Sequence, residues 1–143
     1  MLLKFIVPGK PFGKQRPRVN TRTRHTYTPE RTENYENLIR MAFLKEYPNH
    51  IPVEGRVRIT VVAAFPIPVS WSKKKREAAE RQEISPGKPD IDNILKIVQD
   101  ALNKVAYKDD SQIYSVQILK CYTAVMPMVS VEMLIGDDNY EQC

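Results

Sequence analysis

Apolar residues recur along this chain in two rhythms. From Ile91 onward, Ile91, Ile94, Leu95, Val98, Ala101, Leu102 and Val105 follow one another at steps of three and four, the spacing of one buried helix face. Pro89 stands just ahead and Asp90 is a good N-cap type, so this helix is predicted to start near Asp90 to Asp92. The second rhythm is alternation. Residues Val53 to Phe65 place Val57, Ile59 and Val61 on one face against Arg56, Arg58 and Thr60, then turn wholly apolar until Pro66 and Pro68 end them. Leu2 to Val7, Gln112 to Tyr122 and Val129 to Ile135 read as three further strands, and the last two are expected to form a hairpin.

Two more helices fit between the strands. Thr28-Pro29-Glu30-Arg31 is a helix start, with Tyr35, Leu38, Ile39, Ala42 and Phe43 inward as far as about Tyr47. A shorter helix follows the basic run Lys73 to Arg76, capped by Ser70 or Ser72. The order strand, helix, strand, helix, helix, strand, strand predicts an α+β fold: a small mixed β-sheet with helices packed mainly on one face.

A length of 143 residues suits one domain, residues 1–143, with a core of its own. No apolar run is long enough to span a bilayer and Met1 to Lys10 lacks the pattern of a signal peptide, so the expectation is a cytoplasmic protein with no membrane contact. Cys121 falls in a predicted strand as a small core residue, and Cys143 lies in an acidic tail, from Gly136, that is expected to fray. No Cys/His cluster suggests zinc.

The net charge of +5 permits nucleic-acid binding, and its distribution sharpens that reading. Within a basic loop at residues 8–28, Lys10, Lys14, Arg16, Arg18, Arg22 and Arg24 occur with no acid between them. Such a segment either stays solvated or follows a phosphate backbone by displacing counterions. Of its ring-bearing residues, Phe12, His25 and Tyr27, anchoring of the loop is the expected role.

Acids frame the long helix. Within residues 88–111, Asp90 and Asp92 open it, and Asp109 and Asp110 follow it. Acids at a helix start are ordinary dipole complements, and paired aspartates after a helix often mark a turn. Together they suggest a site for Mg²⁺, a hard ion that takes oxygen ligands, from Asp90, Asp92 and one of Asp109 and Asp110. Steps of four place Asp92, Lys96 and Asp100 on one polar stripe, where Lys96 could also serve only as an ion-pair partner. Asn93 and Asp100 are second-tier candidates, to orient a ligand or pair with a lysine.

The run KPDIDNILKIVQDALN followed by YKDDSQI resembles the signature of the RusA family of Holliday-junction resolvases, small endodeoxyribonucleases common in prophages. Residue by residue, the resemblance implies Asp90, Asp92 and Asp110 as Mg²⁺ ligands, with Mn²⁺ as the substitute to test, and Lys96 as the catalytic lysine. It further implies a homodimer that resolves four-way DNA junctions by paired symmetric nicks in recombination and repair. The reading from another class is a non-catalytic basic DNA-binding protein on the same fold. A nucleotide-sugar transferase is disfavoured because the chain has no Gly-rich nucleotide cradle, and an aspartyl phosphatase because the acidic motif opens a helix.

Overall fold

The computed structural model describes residues 1–136. Its elements, in order, are β1 (Leu2–Pro8), β2 (Arg18–Val19), β3 (Thr26–Tyr27), α1 (Glu30–Glu46), β4 (Val57–Pro66), α2 (Lys73–Glu80), α3 (Ile91–Leu102), a 3₁₀ turn (Asp110–Gln112), β5 (Ile113–Thr123) and β6 (Met128–Ile135). This is the expected α+β architecture. The tail beyond Gly136, with Cys143, lies outside the described residues.

The main sheet has the order β1-β6-β4-β5; β6 runs antiparallel to both β1 and β4, and β4 pairs in parallel with β5. The predicted hairpin of the last two strands is therefore corrected, because β4 lies between them. The reason is burial: β4 carries the most continuous apolar run, and a strand shielded from water on both edges must be interior. The sequence reading also began this strand too early. Gly55 turns the backbone at φ +105°, and Val53 bridges to Tyr107 instead of joining the sheet.

One face of the sheet holds the core. Phe5 and Val7, Ile59 and Val61, and Val131 and Met133 point the same way, against Ile39 and Phe43 of α1 and Ile94, Ile97, Val98, Ala101 and Leu102 of α3. The buried stripe of α3 is rotated slightly from the one predicted, since Ile97 is inside and Ile91 is exposed. Helix α2, capped by Ser72, whose Oγ accepts from the Lys75 N–H at 3.2 Å, sits beside the end of β5. There Trp71 meets Tyr122 edge-on, 5.5 Å between ring centres.

Helix α3 and strand β5 run in opposite directions. Lys120, late in β5, reaches the carbonyls that precede α3, whereas the start of β5 follows the turn beyond the end of α3.

Candidate active site

Asp90 occupies the N-cap of α3 with extended backbone, φ −67° and ψ 153°, yet its carboxylate caps no N–H. It turns instead to the Lys88 ammonium, whose Nζ donates to both carboxylate oxygens at 2.8 and 2.9 Å. That bond and the charge of Lys88, with a smaller influence from Lys120, hold the Asp90 carboxyl below its ordinary value. Asp92, in the first helical turn, is exposed, and its carboxylate has no hydrogen bond or ion pair among the described residues. Two carboxylates thus stand at the positive end of a helix dipole.

Lys120 fixes the approach to this corner. Its Nζ donates to the Gly87 carbonyl at 2.7 Å and the Pro89 carbonyl at 3.3 Å, so a β5 side chain ties down the segment that delivers Asp90. Sequence reasoning placed Lys120 on a strand and assigned it nothing. Strand alternation was the only signal there, and it does not identify what a residue touches across the fold.

The basic loop packs onto the same corner through a position without a side chain. A Cβ added to Gly13 would lie 2.6 Å from the Pro89 Cβ and 3.2 Å from that of Asn93, closer than packed atoms approach. Next to it, the Lys14 N–H donates to the Asn93 carbonyl at 2.8 Å. Thr32, buried on α1, accepts from the Gln15 N–H at 3.3 Å and donates to the Gln15 side-chain carbonyl at 3.3 Å. Phe12 packs on Tyr35 and anchors the loop as expected, whereas His25 and Tyr27 are exposed. The sequence signal for Thr32 was weak, a polar residue on an otherwise ordinary amphipathic helix.

Lys14 enters an ion network between α1 and α3. Its Nζ meets the Glu36 carboxylate and lies 3.1 Å from Asp100, which also pairs with Lys96 at 2.9 Å. Burial lowers the Lys14 pKa, but the bonds from Glu36 and Asp100 outweigh it and leave the ammonium above its ordinary value. The Lys14 side chain is only 19% exposed, against 55% for Lys96, so of these two lysines Lys96 is the one open to a ligand.

The second acidic pair is elsewhere. Asp109 caps the 3₁₀ turn: its carboxylate accepts from the Ser111 N–H at 3.1 Å, while the Gln112 side-chain carbonyl accepts from the Asp109 N–H at 2.9 Å. Hydrogen bonds from Ser111 hold its carboxyl below the ordinary value. Asp110 is exposed, and its carboxylate has no bonded partner among the described residues. Both acids, with Asp100, add negative potential near the buried Tyr107 phenol, which donates to the Gln99 carbonyl at 2.7 Å; burial first and these charges second push that phenol up. Asp109 and Asp110 therefore belong to the C-terminal end of α3.

A helix of 12 residues is about 18 Å long, so the two pairs stand far apart. Among the described residues no group of three or more His, Cys, Asp or Glu side chains is close enough to hold a metal ion. The ligand set expected from sequence, Asp90 and Asp92 with one of Asp109 and Asp110, is not brought together within one chain among the described residues. In chemistry the donors still suit a hard ion, since Asp92 and Asp110 offer unbonded carboxylates and Asp90 is held only by an exposed lysine.

The rest of the basic segment projects as a small hairpin of β2 and β3, whose turn is held by Asn20 accepting from the Arg22 N–H at 2.9 Å. Arg16, Arg18, Arg22 and Arg24 are exposed on it, as is Lys10 at its base, and none has an ion pair among the described residues. Between this loop, α1 and the start of α3 opens a cleft of about 830 Å³, with Asp90 on its rim. No helix among the described residues is long and apolar enough to cross a membrane.

Residues 8–134 match the sequence model of the family described as endodeoxyribonuclease RusA. The chain is also 37% identical over 126 residues to the uncharacterized protein YqaN of Bacillus subtilis (strain 168), covering 85% of this chain and 88% of that protein.

Proposed function

The chain belongs to the RusA family of endodeoxyribonucleases, and from that premise we propose that it is a Mg²⁺-dependent nuclease that resolves four-way DNA junctions as a homodimer. The observation that carries the reading is the pair of uncommitted carboxylates, Asp92 and Asp110, at opposite ends of α3. One chain cannot bring them to one phosphate. A two-fold partner can, because a symmetric interface lets each copy offer one end of its helix to each of two sites. In this arrangement Asp90 and Asp92 of one protomer and Asp110 of the partner subunit hold the ion, and Asp109 keeps its structural role as a cap.

Bound Mg²⁺ supplies a lowered pKa for an attacking water and neutralises charge on the phosphate. The chain's own residues do the rest. Lys96 turns from Asp100 to a non-bridging phosphate oxygen and stabilises the charge that develops there. Asp100 keeps the Lys14 ammonium when Lys96 leaves, so no carboxylate is stranded. Asn93, at the first turn of α3, stands beside the ligands and can orient one of them or the phosphate. Lys10, Arg16, Arg18, Arg22 and Arg24 follow the DNA backbone, while Lys14 stiffens the loop that carries them. Two such sites on one branched substrate account for paired nicks in recombination and repair, within the cytoplasm where the DNA lies.

The deciding experiment is cleavage of a synthetic four-way junction beside linear duplex of the same sequence, with Mg²⁺, Mn²⁺ or EDTA. Wild type is expected to nick the junction only with metal. Asp92→Asn and Asp110→Asn should each be inactive alone, and their mixture should recover single nicks, because a mixed dimer carries one site with both carboxylates intact. Half the dimers then have one of two sites, about a quarter of the wild-type nicking rate. Recovery of nothing would refute the shared site. Binding without cleavage under every metal condition would support the non-catalytic DNA-binding protein instead.

A further inference from the structure

The cleft beside Asp90 is built differently from a surface that only follows phosphates. Phe12, Tyr35 and Leu38 give it an apolar wall, and the Phe12 and Tyr35 ring centres lie 5.7 Å apart with the planes tilted by 49°. The Tyr35 hydroxyl is buried in that wall; the Phe12 main chain comes near it without the geometry of a hydrogen bond. The lining also includes Asn34 and Asn93, whose side-chain amides have no partner among the described residues, and the cations of Lys10 and Arg31, which have no acid partner there.

An aromatic wall, two free amides and two free cations in one cavity match the base face, base edge and phosphate of a nucleotide. Ring faces accept a base, an amide both donates to and accepts from a base edge, and the cations take the phosphate. The volume falls within the range of small-ligand pockets. Stacked duplex offers such a cavity only groove edges and phosphates, so a base gains from the wall only after leaving the stack.

We propose that the cleft lined by Phe12, Tyr35, Asn34 and Asn93 receives one unstacked nucleotide of the DNA strand, next to the phosphate cut at the site of Asp90 and Asp92, and that Asn34 and Asn93 select its base. The assignment rests on the nuclease reading and deepens it. Unpaired nucleotides at the crossover of a branched substrate are the ones free to enter. Selectivity for the cut position then comes from the base in the cleft, while Lys10 and Arg31 hold the phosphate whichever base arrives.

The test uses the full chain and two readouts. In the first, ¹⁵N–¹H spectra are followed as a 5′-phosphorylated deoxytrinucleotide is added, with each base in turn at its centre. The Gly13, Asn34 and Asn93 signals should shift, and Asn34→Ala, at an exposed and unbonded position, should weaken the preferred base by about tenfold and the others less. In the second, four-way junctions carrying each base beside the cut are cleaved by wild type and Asn34→Ala. The variant should keep cutting but lose most of its preference. Shifts absent from those three signals, or a variant with wild-type affinity and preference order, would overturn the proposal. A chain that binds the trinucleotide in the cleft but cuts no branched DNA would support the cleft while removing the nuclease reading, so the two failures are distinguishable.

Discussion

At the start of α3, Asp90 and Asp92 stand in a frame assembled from the adjacent Lys88 and two distant segments, Gly13 and Lys14 of the basic loop and Lys120 of β5. Beyond the other end, Asp109 and Asp110 share one turn that Ser111 and Gln112 cap, and Gln112 in turn donates to the Val53 and Gly55 carbonyls, both at 2.9 Å. The first corner is joined to two distant segments, and the second to one, residues 53–55. Substitutions should therefore reach further at the first corner than at the second.

The largest effect should divide the second pair. Asp110→Asn is expected to lower junction cleavage by about 10³-fold, the scale on which losing a charge-stabilising group is felt. Asp109→Asn should leave cleavage within about threefold, because asparagine also caps well. Equal losses at the two positions, measured under single turnover, would erase the distinction between ligand and cap.

Lys120→Met comes next. It keeps the length of the side chain and removes both bonds to the Gly87 and Pro89 carbonyls. A loss of about 10- to 100-fold is expected, with a higher Mg²⁺ requirement, since Lys120 acts by positioning Asp90. A metal dependence identical to wild type would mean that the corner holds its shape without it.

Neutralising Arg16, Arg18 and Arg22 together should weaken binding to every DNA sequence alike and flatten the dependence of log affinity on log salt by about 2 to 3. An unchanged slope in a filter-binding series would remove the hairpin from the interface. Gly13→Ala should cost about 1–3 kcal/mol in denaturant unfolding as the loop is pushed from Pro89.

The smallest effect is acid sensitivity at the Asp109 cap. Its folded carboxyl lies below the ordinary value of 3.8, so the contribution is present above that value and fades as pH falls through the lower one. Asp109→Ala should remove this acid-dependent component in an unfolding series against pH. A wild-type profile in the variant would show that the cap adds nothing.

Much of this could be read from the chain. The three- and four-residue spacing gave α3, and the long apolar run gave β4, because both patterns are local. Strand order was not local. Placing β4 between β5 and β6 depends on which strand most needs cover, and adjacency in sequence pointed to a hairpin that does not form. The pair of two-residue strands in the basic loop was too short to leave a rhythm. At the site, the residue types were legible and their separation was missed, although the length of α3 alone implied it. The Gly13 contact and the Lys120 tether join positions far apart in sequence, where no pattern links them.

The length of α3 has a further consequence for the proposed dimer. Each protomer would give Asp90 and Asp92 to one site and Asp110 to the other, so α3 and the segment 103–109 beyond it would together span both cutting centres. The helix is most of that ruler. One added turn of it would move the centres apart by about 5.4 Å, changing where the second strand is cut relative to the first.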